Sequence, residues 1–74
     1  GEPVVVERIE AGSPADRAGV RPGDRILSLD GFAVESIYDY VRALQRSVPG
    51  GAARLVVERG GQPLELDVDL EEAR

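Results

Sequence analysis

Two periods organise the apolar positions of this chain. Leu64, Leu66, Val68 and Leu70 fall on every second residue, with Glu65, Asp67 and Asp69 between them. A period of two places the apolar side chains on one face of a strand and the carboxylates on the other. Residues 63–70 therefore read as a strand with a dry face and a solvated acidic face. Residues 53–59 read as its partner, because Gly60-Gly61 between the two runs is a hairpin signal. Residues 25–29 form a further strand, and Asp30-Gly31 predicts a tight return into a short strand at residues 32–34. Residues 4–9 are β-branched and short, which predicts a strand with apolar positions on both faces.

The helical period appears once at length. Ile37, Tyr40, Val41, Leu44 and Val48 lie at i, i+3, i+4, i+7 and i+11, one stripe of a helix over residues 36–47. Ser36 and Asp39 have capping spacing, Arg42 and Arg46 suit the negative C-terminal end, and Pro49-Gly50-Gly51 stops the helix. A shorter helix follows Ser13. Ser13 is the cap, Pro14 fits the first position, Asp16 lies three residues after the cap, and Gly19 is the stop. So short a helix is unstable alone and needs packing, with Ala15, Ala18 and Val20 as its inward residues. Pro22-Gly23 predicts a type II turn. The sum is an α+β domain: a small, mostly antiparallel sheet or partial barrel capped by one short and one longer helix.

Composition narrows the chemistry. A chain of 74 residues makes one small domain with a thin core. No His and no Cys are present, so a Ser-His-Asp triad, a Cys-His pair, a Cys/His zinc site and a disulfide cannot be built from this chain. A net charge of −5 argues against a nucleic-acid partner. All nine basic residues are Arg, which we read as compositional bias. No apolar run approaches the roughly 20 residues of a membrane span. Glu65, Asp67 and Asp69 are the acid/base groups on one face, without a pocket to raise a pKa, and Asp67-Val68-Asp69 lacks calcium-loop spacing. No Gly-Lys-Ser/Thr follows the glycines, so a phosphate loop is not expected. No catalytic residue, metal ligand or cofactor is expected.

Four runs carry a more specific message: Gly12-Ser13-Pro14-Ala15, Ala18-Gly19-Val20, Pro22-Gly23-Asp24-Arg25-Ile26 and Leu29-Asp30-Gly31. In this order they resemble the PDZ domains of bacterial proteases, and the resemblance runs through nearly the whole chain. It implies a groove in which an extended peptide, usually a C-terminus, adds as a strand beside a sheet edge, walled by the longer helix. A nest of backbone N–H groups would hold the terminal carboxylate. Carried onto this chain, the peptide-binding residues are Ile37, Val41, Leu44 and Gln45 on the helix, with Val4 and Val6 on the neighbouring strand. Ile37 stands where many eukaryotic relatives place a His that hydrogen-bonds a ligand hydroxyl, and an Ile there would favour an apolar ligand side chain instead. Ile37 and Val41 read equally as groove or core, and Leu44 and Tyr40 read as core first.

One departure matters. The carboxylate-holding loop of such domains, Tyr-hydrophobic-Gly or Gly-hydrophobic-Gly, is not found in this sequence. The expectation is a single PDZ-like domain over residues 1–74 whose carboxylate loop and groove strand are either missing or supplied by sequence outside these residues. Residues 4–9 then become an apolar edge open to a strand from a peptide or from a second copy. Full pairing of residues 4–9 within their own chain would remove that expectation.

The resemblance implies a noncatalytic recognition module that gates a bacterial, membrane-associated protease. A site-2 intramembrane zinc metalloprotease comes first and a high-temperature-requirement serine protease second. The implied partners are an extended peptide or C-terminus, other domains of the parent protease, and a second copy through strand-mediated self-association. The implied location is extracytoplasmic, with membrane contact only through the parent protein. The competing expectation is a scaffold domain of the secretion-system type with no free-peptide ligand.

Overall fold

The computed structural model describes residues 3–46 and 51–69. Its order is α1 (Pro14–Ala18), β1 (Arg25–Leu29), β2 (Phe32–Ala33), α2 (Ile37–Arg46), β3 (Ala52–Arg59) and β4 (Gln62–Asp69). The strands form one antiparallel sheet in the order β2-β1-β3-β4. The alternation expected of the last strand holds in the second half of β4, where Leu66 and Val68 are half-buried and Glu65, Asp67 and Asp69 are exposed, but Leu64, beside the hairpin turn, is exposed as well. Leu70, Ser47 and Val48 lie outside the described residues.

Local chemistry sets the element ends. Ser13 Oγ accepts the Asp16 N–H at 3.2 Å, and Asp16 reaches back to accept the Gly12 N–H at 2.8 Å. The same exchange starts α2, where Ser36 Oγ accepts from Asp39 and Asp39 accepts from Glu35 at 3.0 Å. Aspartate is one methylene shorter than glutamate, and in both helices its carboxylate bonds the residue before the cap. At the Pro22-Gly23 turn, Gly23 has φ +96° and the Asp24 N–H donates to the Arg21 carbonyl at 3.1 Å, which is the type II bond.

Gly19 ends α1 with φ +98°, and the Gly19 and Val20 N–H groups close onto Asp16 and Ala15. A Cβ at Gly19 would meet Leu66 at an ordinary 3.7 Å, so space is not the constraint. The left-handed backbone is. Gly19→Ala is expected to lower stability by about 1 kcal/mol in urea unfolding, with m unchanged.

The core is Val20, Ile26, Leu29, Val34, Ala43, Ala53, Leu55 and Val57. Val57 is fully buried between β1 and β4, opposite Ile26 and Leu64. Two expectations change. Residues 4–9 do not form a full strand: they make one isolated bridge, Val5 opposite Arg25. The partner chain turns at Gly23, so pairing stops there. Nor does α2 bury its large apolar stripe. It buries Ala43 and half-buries Tyr40, while Ile37, Val41 and Leu44 stay exposed. The small Ala43 side chain lets the helix lie close to β1 and β2, which turns the bulky residues sideways.

Candidate functional site

The site grows from the backbone of residues 4–7. The Val6 N–H donates to the Asp24 carbonyl at 2.8 Å, and the Val6 carbonyl accepts from Gly23 at 2.7 Å. The Val4 carbonyl accepts from Ile26 at 2.9 Å. Val4 and Val6 thus turn their backbone groups toward β1. Val5 is the non-hydrogen-bonded partner of Arg25, so its N–H and carbonyl point to the opposite edge. No strand pairs with that edge among the described residues.

The free edge faces α2. An opening of about 820 Å³ is lined by Pro3, Val4, Val5 and Glu7 on one side and Ser36, Ile37 and Tyr38 on the other. Further along, a cavity of about 250 Å³ is bounded by Val6, Arg8 and Ile9 from the edge segment and by Tyr40 and Leu44 from α2. Its floor includes the core residues Val20, Ile26, Leu29 and Leu55. The edge segment and α2 therefore run in the same direction along one groove that opens into the core. Ile37 is 54% exposed at one end of it; Val41, exposed and one turn along the same helix face, lines neither space. Gln45 is exposed and lines neither space. Val4 lines the opening and Val6 the cavity, both half-buried.

Three edges compete for a pairing strand, and two are protected. β2 is two residues long. β4 ends the sheet but carries Pro63 and the exposed carboxylates Glu65, Asp67 and Asp69. Charge and proline on an edge discourage pairing. The Val5 edge carries Pro3 and Glu7 at its two ends, but its centre is apolar, and Val5 itself is 47% exposed.

A buried ion pair holds this edge in place. Asp24 is 1% exposed, and its carboxylate accepts from Arg59 Nε at 2.8 Å, Arg59 Nη2 at 2.6 Å and the Arg21 N–H at 2.9 Å. Arg59 also donates to the Gly19 carbonyl at 2.8 Å. One guanidinium thereby ties the end of α1, the turn and the end of β3. The hydrogen bonds from Arg59 hold the Asp24 carboxyl below its ordinary value, against the opposing effect of burial. Because the Asp24 carbonyl and the Gly23 N–H hold Val6, this tie also sets the position of Val5.

Sequence reasoning did not single out Val5, Arg8, Tyr38 or the Asp24–Arg59 pair. Val5 had a readable signal, a valine in the outward phase between two inward ones. The ion pair joins residues 35 apart in the chain and leaves no periodic trace.

Comparison with known proteins gives the family. The profile for the PDZ domain matches residues 5–59, and the chain belongs to that family. It is 40% identical over 60 residues to a putative zinc metalloprotease of Neisseria meningitidis, covering 81% of this chain and 13% of that protein. Against the regulator of sigma-E protease RseP of Escherichia coli the identity is 40% over 62 residues, covering 84% of this chain and 14% of that one. A probable periplasmic serine endoprotease, DegP-like, of Hahella chejuensis is 33% identical over 66 residues, covering 89% and 14%. The HtrA-type protease AlgW, solved with a decapeptide, superposes with a TM-score of 0.80 at 31% identity, covering 92% of this chain and 21% of that one. The chain thus spans about one seventh of the curated relatives named here. No helix among the described residues is long and apolar enough to cross a membrane.

Proposed function

We propose that this chain is the noncatalytic recognition module of a bacterial protease, and that it regulates proteolysis by taking an extended segment or C-terminus as an added strand. The observation that carries the reading is the Val5 edge, unpaired among the described residues and facing Ile37 across the opening. Main-chain bonds to Val5 supply affinity that does not depend on ligand sequence, and Ile37, Val41 and Leu44 supply an apolar wall. Val4 and Val6 shape the floor. The decapeptide held by the AlgW structure supports peptide as the ligand class. The named relatives support a zinc metalloprotease parent ahead of a serine protease, and the periplasmic relatives support an extracytoplasmic location.

Titration of the ¹⁵N-labelled chain with C-terminal peptides tests this. The amides of Val5, Glu7, Ile37 and Val41 are expected to shift, while those of β4 stay in place. Unmoved spectra across an apolar peptide panel would replace the reading with an assembly domain that has no free-peptide ligand.

A further inference from the structure

We infer that the cleft between β2 and α2 is a second docking surface, and that its occupant is an extended acidic segment of a partner protein. The inference goes beyond the strand-addition reading and uses none of the residues of the Val5 edge.

The cleft, about 190 Å³, is lined by Phe32 and Ala33 from β2 and by Asp39, Arg42, Ala43 and Arg46 from α2. These helix residues fall at i, i+3, i+4 and i+7, a different face of α2 from the one that lines the groove with Ile37, Tyr40 and Leu44. Arg42 and Arg46 are exposed, and neither has an ion pair among the described residues. Arg46 instead lies over the Phe32 ring, 4.8 Å from its centroid, and Phe32 is 40% exposed. Stacking holds a guanidinium by its face and leaves the N–H groups at its rim free. Asp39 lines the cleft, and Asp30 lies two residues before Phe32; both carboxylates already accept backbone N–H groups, from Glu35 at 3.0 Å and from Arg54 at 2.8 Å.

Spacing and edge chemistry identify the occupant. Residues four apart on a helix are about 6 Å apart along its axis, which sets the separation of Arg42 and Arg46. Side chains two apart on an extended strand are about 6.8 Å apart on one face. A strand with a carboxylate at every second position therefore meets both guanidiniums at once. Like charges four apart on a helix repel, and two bridging carboxylates remove that repulsion. β2 adds one main-chain anchor. The Val34 N–H bonds the Leu27 carbonyl at 2.9 Å, which makes Ala33 the non-hydrogen-bonded partner of Ser28 and turns its N–H and carbonyl away from β1. No described strand pairs on that side. A strand of two residues holds no ladder, so the arginines carry the selectivity. The net charge of −5 opposes an acidic partner only weakly at physiological salt, where screening acts over about 8 Å.

The test titrates the ¹⁵N-labelled chain with a hexapeptide of alternating Glu and Ser, blocked at both ends, and with its Gln counterpart. The Glu peptide is expected to shift the amides of Phe32, Ala33, Arg42 and Arg46. It should bind about fivefold more tightly than the Gln peptide at low salt, and the difference should shrink as salt rises. The double variant Arg42→Gln/Arg46→Gln should bind the two peptides alike, and Arg42→Lys/Arg46→Lys should keep most of the preference. Both residues are exposed, and urea unfolding checks that the variants fold. Equal binding of the Glu and Gln peptides to the wild type, shifts centred on other arginines, or a preference that survives the double Gln variant overturns the inference and leaves strand addition at Val5 standing. Shifts of the same four amides with chain concentration alone would make the acidic β4 face of a second copy the occupant and overturn a separate partner.

Discussion

Replacing Asp24 with Asn is expected to lower the unfolding free energy by about 2–3 kcal/mol at neutral pH. Three donors converge on this carboxylate, and it is almost wholly out of water. Asn keeps the shape but turns an NH₂ group toward donors, so at least one of them loses its partner. The cost sits below the largest values for buried pairs because the Arg59 side chain is 33% exposed and can reach solvent when released. A domain of this length has about 4–11 kcal/mol in total, so the variant loses a large share of its margin. Urea unfolding measures the loss.

The same pair carries a pH signature. The folded-state pKa of Asp24 lies below that of the unfolded chain, which is near 3.9. A depressed carboxylate contributes stability that is fully present above the unfolded pKa and is lost as pH falls through the folded one. The stability gap between wild type and Asp24→Asn should therefore hold from neutral pH down to about pH 5 and close below about pH 4. A gap that stayed constant down to pH 2 would show that the charge of Asp24 is not what stabilises the turn. Val6 gives a local readout. Its N–H bonds the Asp24 carbonyl, so its hydrogen exchange should quicken more than that of Val57.

What the sequence revealed and what it hid follow from the range of the interactions. The two Ser/Asp caps, the Gly19 stop, the Pro22-Gly23 turn and the Asp30-Gly31 hairpin each depend on residues within five positions, so residue type decides them. At Asp30-Gly31 both residues have positive φ, +51° and +85°, as a type I′ turn requires. The β3–β4 hairpin was legible because one face is dry and the other wet. The segment at residues 4–9 was not, because its pairing ends where another part of the chain turns away. The face of α2 was ambiguous for a different reason. A periodic stripe records which side chains avoid water, and Ile37, Val41 and Leu44 read the same whether they face a core or a groove that another chain would fill. Ala43, too small to weigh in the pattern, decided the rotation of the helix. The groove residues were thus visible as apolar and invisible as exposed.

Val5→Pro is expected to weaken peptide binding by at least tenfold while changing stability by less than about 1 kcal/mol. The Val5 N–H points away from β1 and enters none of the bonds that hold Val4 and Val6 to Ile26, Gly23 and Asp24. Proline on the outward phase of an edge therefore removes no native ladder bond. An added strand needs that N–H. Without it one ligand carbonyl enters the groove unpaired, and the pyrrolidine ring stands where the ligand backbone would lie. Val5→Ala separates the backbone effect from the side chain: it keeps the donor and should bind within about twofold of wild type. Fluorescence anisotropy of a labelled peptide reads both variants, and urea unfolding confirms that each is folded. Equal affinity for Val5→Pro and Val5→Ala would mean that the peptide does not pair with this edge, and the apolar row on α2 would then have to hold its partner by side-chain contacts alone.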